Sequence, residues 1–197
     1  MIFNFKENYT LENDTALLRP LHFSDIDNLI HFAINEPEIW KYSMVPADGK
    51  EGLTKYIDFA IDARKALKEY AFIVFDKRTN TYAGSTRFYD IQLVNKTLQL
   101  GYTWYGKEFQ GTGLNKHCKF LLLSFAFDTL CMERVEFRAD NENERSKAAM
   151  KSIGCKVEGI IRSSSYRQDG SRRDSILLSI LKHEWESEVK EMLRGKL

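Results

Sequence analysis

Apolar and polar positions alternate in two rhythms along this chain. Residues 15–18 read as a short strand that stops at Arg19-Pro20. Ser24-Asp25-Ile26-Asp27 then offers a helix start resembling a capping box, followed by Ile26, Leu29, Ile30 and Ala33 at the spacing of one helical face. Leu53, Tyr56, Ile57, Ala60, Ile61 and Leu67 predict a second helix by the same rule. From residue 71 the pattern becomes short β-rich runs over 71–75, 82–89 and 97–105, separated by turn residues at 77–80 and 93–96. Three consecutive strands joined by short turns predict an antiparallel meander. Leu114, Cys118, Leu121, Leu122 and Phe125 then mark a long helix ending near Leu130. A strand is predicted over 134–139, a helix over 144–153 stopped by Gly154, and strands over 157–162 and 175–181 around the Asp169-Gly170 turn. The fold class read from this order is α+β. It is a mostly antiparallel sheet with helices on both faces and one strand-helix-strand crossover in the middle.

Composition narrows the picture. At 197 residues with 43% hydrophobic content the chain suits one domain over residues 1–197, and no repeat, low-complexity tract or linker divides it. Lys and Arg number 29 against 28 Asp and Glu, so no whole-protein field would hold a polyanion, and nucleic acid is not an expected partner. No run of about 18 apolar residues suggests a membrane partner. The start MIFNFKENYT lacks the layout of a signal peptide, so a cytoplasmic location is expected. Cys118, Cys131 and Cys155 form an odd set without a C-x-x-C pair and read as buried or partly buried thiols in a reducing compartment. The four histidines lie far apart with no acidic residue at ligand spacing, so no metal site is expected.

The stretch with most chemical content is Gln99 to Lys119, where a strand runs through Gln110-Gly111-Thr112-Gly113 directly into a helix. The first amides of a helix lack partners and carry partial positive charge, so an anion can settle there. Gly111 and Gly113 permit positive φ and close approach of a ligand to the backbone, and Lys116 and Lys119 could add charge nearby. A tight turn with no ligand is the plainer reading of a Gly-x-Gly by itself. The segment is not a P-loop, since it has no G-x-x-x-x-G-K-[ST].

In order along the chain stand Leu100-Gly-Tyr-Thr-Trp-Tyr-Gly-Lys-Glu-Phe-Gln-Gly-Thr-Gly-Leu-Asn115, Arg134-Val-Glu-Phe, Asn143-Glu-Arg-Ser146, residues 153–162, Asp169-Gly and Asp174. Together these motifs resemble the GNAT acetyltransferases, and within them the branch of the ribosomal-protein N-terminal (RimJ/RimL-type) acetyltransferases. The resemblance covers roughly Leu17 to Trp185. It implies a mixed, mostly antiparallel sheet with a splayed central strand pair, and acetyl-CoA as co-substrate without a metal. The family's pyrophosphate motif falls on Gln110, Gly111, Thr112, Gly113, Leu114 and Asn115, with Asn115 in place of the usual small residue. Backbone groups of Trp104 and Tyr105 would pair with the pantetheine arm, while their side chains read equally as core aromatics. Asn143 would contact the pantetheine or simply cap a helix. Ser146 matches a serine able to protonate the departing thiolate, and water could do the same. Met150 stands where many relatives carry a tyrosine for that task.

No general base is assigned. Glu158 is at a position where this branch often has Glu, but it could make a structural hydrogen bond instead, and an amine can lose its proton through ordered water. Arg162, Arg167, Arg172 and Arg173 form a basic cluster that is a solvated face, or else a contact for an acidic substrate or the CoA 3′-phosphate. Trp40, Tyr42 and Tyr89 read as core or lid packing ahead of an acceptor pocket. The expected function is transfer of acetyl to a primary amine, foremost a protein or peptide N-terminus. The alternatives are a small amine (polyamine, amino acid or aminoglycoside) as acceptor, or a non-catalytic acyl-CoA-binding module. A homodimer is left open.

Overall fold

A computed structural model describes residues 3–197. Its centre is one eight-stranded sheet built from β1 (Leu11–Glu12), β2 (Ala16–Pro20), β3 (Tyr70–Asp76), β4 (Thr81–Gln92), β5 (Thr97–Tyr105), β6 (Arg134–Asp140), β7 (Lys156–Tyr166) and β8 (Arg172–Leu181). The spatial order is β1-β2-β3-β4-β5-β6-β8-β7. Every pairing is antiparallel except β5 with β6. That single parallel pair requires a crossover, and α3 (Leu114–Ser124) supplies it.

The helices α1 (Ile26–Asn35) and α2 (Gly49–Lys65) cover one face and α3 covers the other, with α4 (Glu144–Ser152) between β6 and β7. Alternation along β4 shows the two faces. Arg87 meets the rings of Tyr56 and Phe59 from α2, whereas Thr86 bonds Thr103 and Phe88 stacks near Phe125 behind α3. The fold is the α+β arrangement expected, with most element ends within two residues of their predicted places. Three differences are local. The helix opening at Leu114 widens into a π-turn over Phe125–Thr129, the second helix stops at Lys65 because Leu67 turns to φ +58°, and Lys182 to Arg194 form helical turns that no strong periodicity announced. Cys118 and Cys155 are buried as expected, but Cys131 is exposed on a φ +55° turn.

The feature that shapes the site is in β5. Ser85 faces Trp104 and Arg87 faces Gly101, so three steps on β5 oppose two on β4. The extra residue is a bulge at Tyr102, whose φ is +49°. β5 leaves β6 just ahead of it: the parallel pairing covers only Thr97–Arg134, Leu98–Val135 and Gln99–Glu136. This is the splayed central pair.

Arg87 supports the bulge from below. Its guanidinium lies 4.3 Å from the centre of the Tyr102 ring, and the Tyr56 hydroxyl donates to the Tyr102 carbonyl at 3.4 Å. The side chain has no solvent exposure, and its charge is matched by Glu69 at 2.6 Å, which keeps 14% exposure. Its Nε and one Nη find no acceptor, so Glu69 is the group that makes the burial tolerable. Removing Glu69 strands a buried cation. We expect Glu69→Ala to lower unfolding free energy by about 3 kcal/mol, measured by urea melts, the low end for a broken buried pair because Glu69 keeps some water.

Candidate active site

Past Gln99 the edge of β5 that faces β6 is open, and it leads through Gly106 into the predicted glycine turn. Gly111 and Gly113 adopt φ +77° and +88°, and a Cβ built on either would meet nothing within 4 Å. The turn therefore opens onto free space. Among the described residues the amides of Gly111, Thr112, Gly113 and Asn115 donate to no protein acceptor, while Leu114 N reaches Thr112 Oγ1 at 3.4 Å. Unpaired amides at a helix start with room in front of them fit a phosphate group.

Side chains brace this cradle. Gln110 Nε2 donates to the Tyr105 carbonyl at 2.9 Å, and Arg145 donates to Gln110 Oε1, which ties the end of β5 to α4. Arg78, held by Asp76, donates to the Thr112 carbonyl at 3.1 Å. Arg78 and Arg145 thus add positive charge at the turn beside Lys116. Sequence reading missed both, because Arg78 arrives from the β3–β4 turn and Arg145 carries no signal beyond lying between Asn143 and Ser146. The Leu114 side chain is fully buried, so only its backbone faces the cradle.

Asn143 and Ser146 open α4 nearby. Asn143 Oδ1 accepts from Ser146 N at 3.0 Å, so Asn143 is the helix cap and Ser146 contributes only its amide to that cap. The Ser146 hydroxyl is half-buried and makes no hydrogen bond among the described residues. Trp104 and Tyr105 are buried core aromatics whose side chains pack on Trp40 at 5.0 Å and beside Cys118. Met150 is buried.

Other candidates are occupied elsewhere. Glu158 accepts from Arg134 and from Ser179 at 2.6 Å, and the Arg134 guanidinium holds its carboxyl down at about 2, so it makes a structural ion pair. The basic cluster is divided. Arg167 binds Asp140 at 2.7 Å, Arg172 binds Ser163, Arg173 is buried and Arg162 is exposed. Gln168 at the β7–β8 hairpin donates to the carbonyls of Trp40 and Ser43, closing the sheet face opposite α3. Tyr89 is half-buried, its ring edge on the Tyr102 ring at 5.1 Å, with Tyr42 also half-buried. Surface hollows beside Asn28 and Glu108 and beside Phe5 and Arg64 lie away from the splay. Among the described residues there is no metal-holding cluster, and no helix is long and apolar enough to cross a membrane.

Lys119 does not reach the turn, contrary to expectation. It points from α3 into the core, 5% exposed, where its Nζ donates to Thr103 Oγ1 at 2.8 Å. No carboxylate pairs with it among the described residues. Burial lowers its pKa from 10.5 to about 8 against the smaller opposing influence of the Cys118 and Cys155 thiols.

Comparison with known proteins gives a consistent result. The chain matches the acetyltransferase (GNAT) domain family over residues 16–156. It is 35% identical over 105 residues to a Bacillus subtilis protein named "Putative ribosomal N-acetyltransferase YdaF", a match spanning 53% of this chain and 56% of that one, so a little over half of the relative's length is covered. A Bacillus licheniformis protein, "Uncharacterized N-acetyltransferase p20", is 25% identical over 177 residues, covering 89% of this chain and 98% of its own. Among solved structures, a GCN5-related N-acetyltransferase from Brucella melitensis superposes with a TM-score of 0.87 over 96% of this chain and 85% of that one, at 24% identity.

The lysine gives a measurable prediction. The unfolded chain holds the Lys119 proton up to about 10.5 and the folded one only to about 8, so stability rises with pH across that window and the full burial cost is present below it. Lys119→Met removes the cost. We expect the variant to melt above the wild type at about pH 7, with its advantage shrinking as pH climbs from 8 toward 10.5, in calorimetric scans across that range.

Proposed function

The chain belongs to the GNAT acetyltransferase family, and from that membership we propose that it acts as one acetyltransferase domain moving acetyl from acetyl-CoA to a primary amine, foremost a protein or peptide N-terminus. The observation that carries this reading is the continuity of β5's open edge with a glycine turn of unpaired amides. One feature binds an extended arm as an added strand, the other binds phosphates, and they follow each other in the order that CoA requires. The ribosomal-protein acetyltransferase branch is favoured by the name of the 35% identical relative and by the Asn143-x-x-Ser146 spacing. The two buried thiols fit a reducing, cytoplasmic setting.

In this reading Gly111, Thr112, Gly113 and Asn115 hold the pyrophosphate through backbone N–H groups, with Arg78, Arg145 and Lys116 adding charge. Gln110 fixes the turn to β5, backbone of Trp104 and Tyr105 lines the pantetheine track, and Leu114 anchors the helix from behind. Asn143 sets the first turn of α4, and Ser146 offers a free hydroxyl toward the thioester sulfur. Acetyl-CoA supplies the activated acyl group. The protein supplies proximity and hydrogen bonds, and the amine loses its proton to ordered water. Neither buried cysteine acts as nucleophile, since the Cys118 thiol is pushed up to about 12 by burial and the Cys155 thiol is raised in the same way.

Free-thiol release on mixing protein, acetyl-CoA and either N-terminal peptides or small amines tests the whole reading. Release with peptides supports it, release with small amines alone moves the acceptor, and acetyl-CoA binding without release points to a non-catalytic module. Gly113→Ala should weaken acetyl-CoA binding at least tenfold by calorimetry, because its Cβ enters the cradle. The positive φ adds about 1 kcal/mol of strain, so the melt should shift only modestly. Ser146→Ala leaves the Asn143 cap intact, so its stability should match the wild type while kcat falls on the order of 10²-fold from loss of one hydrogen bond to developing charge.

A further inference from the structure

Of all the buried charges in the molecule, Lys119 alone has no acidic partner among the described residues. Arg87 has Glu69, Asp25 has Arg19, and Asp140 has Arg167, with the equally buried Arg173 within 4.0 Å of it. Lys119 has one hydroxyl. An ammonium carries three donors, and only one of them is used by the protein, on Thr103 Oγ1. A buried cation so poorly matched is costly, and evolution of stability alone would favour an apolar residue.

Its place gives the burial a use. Thr103 is on β5 just past the Tyr102 bulge, and the Phe137 ring, 6.0 Å from Nζ, is on β6 just past the last paired residue. The ammonium therefore bridges the opening of the splay from the α3 side. Thr103 is half-buried on that side, and its hydroxyl also meets Thr86 Oγ1 of β4 at 2.8 Å. Lys119 lies about 9 Å along α3 from Gly113 of the turn, at 1.5 Å per residue, on the way back toward the point where β5 and β6 meet. An extended arm anchored by its phosphates at the turn and running down the open edge of β5 carries its far end toward this position.

We propose that Lys119 is the proton donor to the departing thiolate of acetyl-CoA, held at the splay by Thr103 until the thioester arrives. The inference rests on the acetyl-CoA reading above. Lys119 gives one proton to sulfur as the carbon–sulfur bond breaks with its electron pair on sulfur, and Lys119 is left as a neutral amine. The acceptor nitrogen, now bonded to the carbonyl carbon, releases its surplus proton to solvent, and solvent reprotonates Lys119. The cycle gains and loses no proton. A lysine lowered to about 8 is well matched to a thiol, whose ordinary pKa is about 8.5, whereas the hydroxyl of Ser146 can orient the sulfur but cannot readily yield its own proton. The titratable groups facing Lys119 are the Cys118 and Cys155 thiols, both raised by burial and neutral over the working range, so neither competes for its proton.

The test uses the whole protein with CoA and desulfo-CoA. Thiolate absorbance of bound CoA, with the desulfo-CoA complex as blank, is followed against pH. In the wild type the bound thiol should show about tenfold more thiolate than free CoA at neutral pH, because the ammonium stabilises it; in Lys119→Met that excess should vanish. The same variant should lose on the order of 10²-fold in kcat with little change in the KM for acetyl-CoA. A wild-type complex whose thiol titrates like free CoA overturns the assignment without any variant having to fold. A folded Lys119→Met enzyme with wild-type kcat overturns it as well, and both results leave the CoA site standing. Failure of the wild type to bind either CoA or desulfo-CoA overturns the acetyl-CoA reading itself, and this inference with it.

Discussion

Strands β5 and β6 run side by side for three residue pairs and then part, and the rest of the site is arranged around the gap. A parallel pair inside a sheet normally hides its backbone groups in the ladder. Here the ladder ends at Gln99 and the bulge at Tyr102 follows at once, so polar backbone is left facing an opening where a partner of strand-like shape is wanted. The crossover then brings the start of α3 to the far end of that opening, so that unpaired strand edge and unpaired helix amides are consecutive along one path. Neither needs a special side chain. Both follow from where hydrogen-bond ladders end.

Keeping the gap open has an energetic counterpart in the core. The bulge is held by an aromatic and cationic layer of Arg87, Tyr56, Phe59 and Tyr102 on one side and by the Thr86–Thr103–Lys119 chain on the other. These layers spend stability on geometry: Arg87 leaves two nitrogen donors unused and Lys119 lacks a counter-charge. A chain with a formal charge of only +1 thus buries a cation on each face of one short strand segment, Arg87 paired with Glu69 and Lys119 without a counter-charge.

Sequence reading fared best where the physics is local. The limits of β5 were legible from β-rich residues between turn signals, the glycine turn from Gly111 and Gly113, and the crossover from a helical stripe between two strands. The bulge was not legible, because Gly101-Tyr102-Thr103-Trp104 reads as plain strand and only pairing with β4 reveals the extra residue. Lys119 was misplaced for a related reason. It adjoins Cys118 at the edge of the helical stripe, and a lysine there reads as solvent-facing or phosphate-facing until the sheet above it is known. Arg78 belongs to the cradle through contacts 34 residues away, which no local pattern carries. The ion pair of Glu158 with Arg134 has the same character, since it joins β7 to β6 across the intervening β8.

Acyl transfer to an amine requires one proton to leave nitrogen and one to reach sulfur, and the carboxylates near the splay are poorly placed for either task. Glu136 is shared between Arg134 and Arg138, Glu158 is committed to Arg134, and Asp140 is engaged by Arg167. The arginine partners hold the Glu158 and Asp140 carboxyls below the usual carboxylate range, which makes both weak bases, and Glu136 is taken up by two guanidinium groups. In the proposed reaction the amine can lose its proton to water, which needs no protein base. In the same reading the sulfur leaves beside the buried Lys119, where a bare thiolate would be poorly solvated. A thiol leaving on the α3 side of the gap would thus be served by a proton source built into the protein, and Lys119, between Thr103 of β5 and Phe137 of β6, is the group the fold places there.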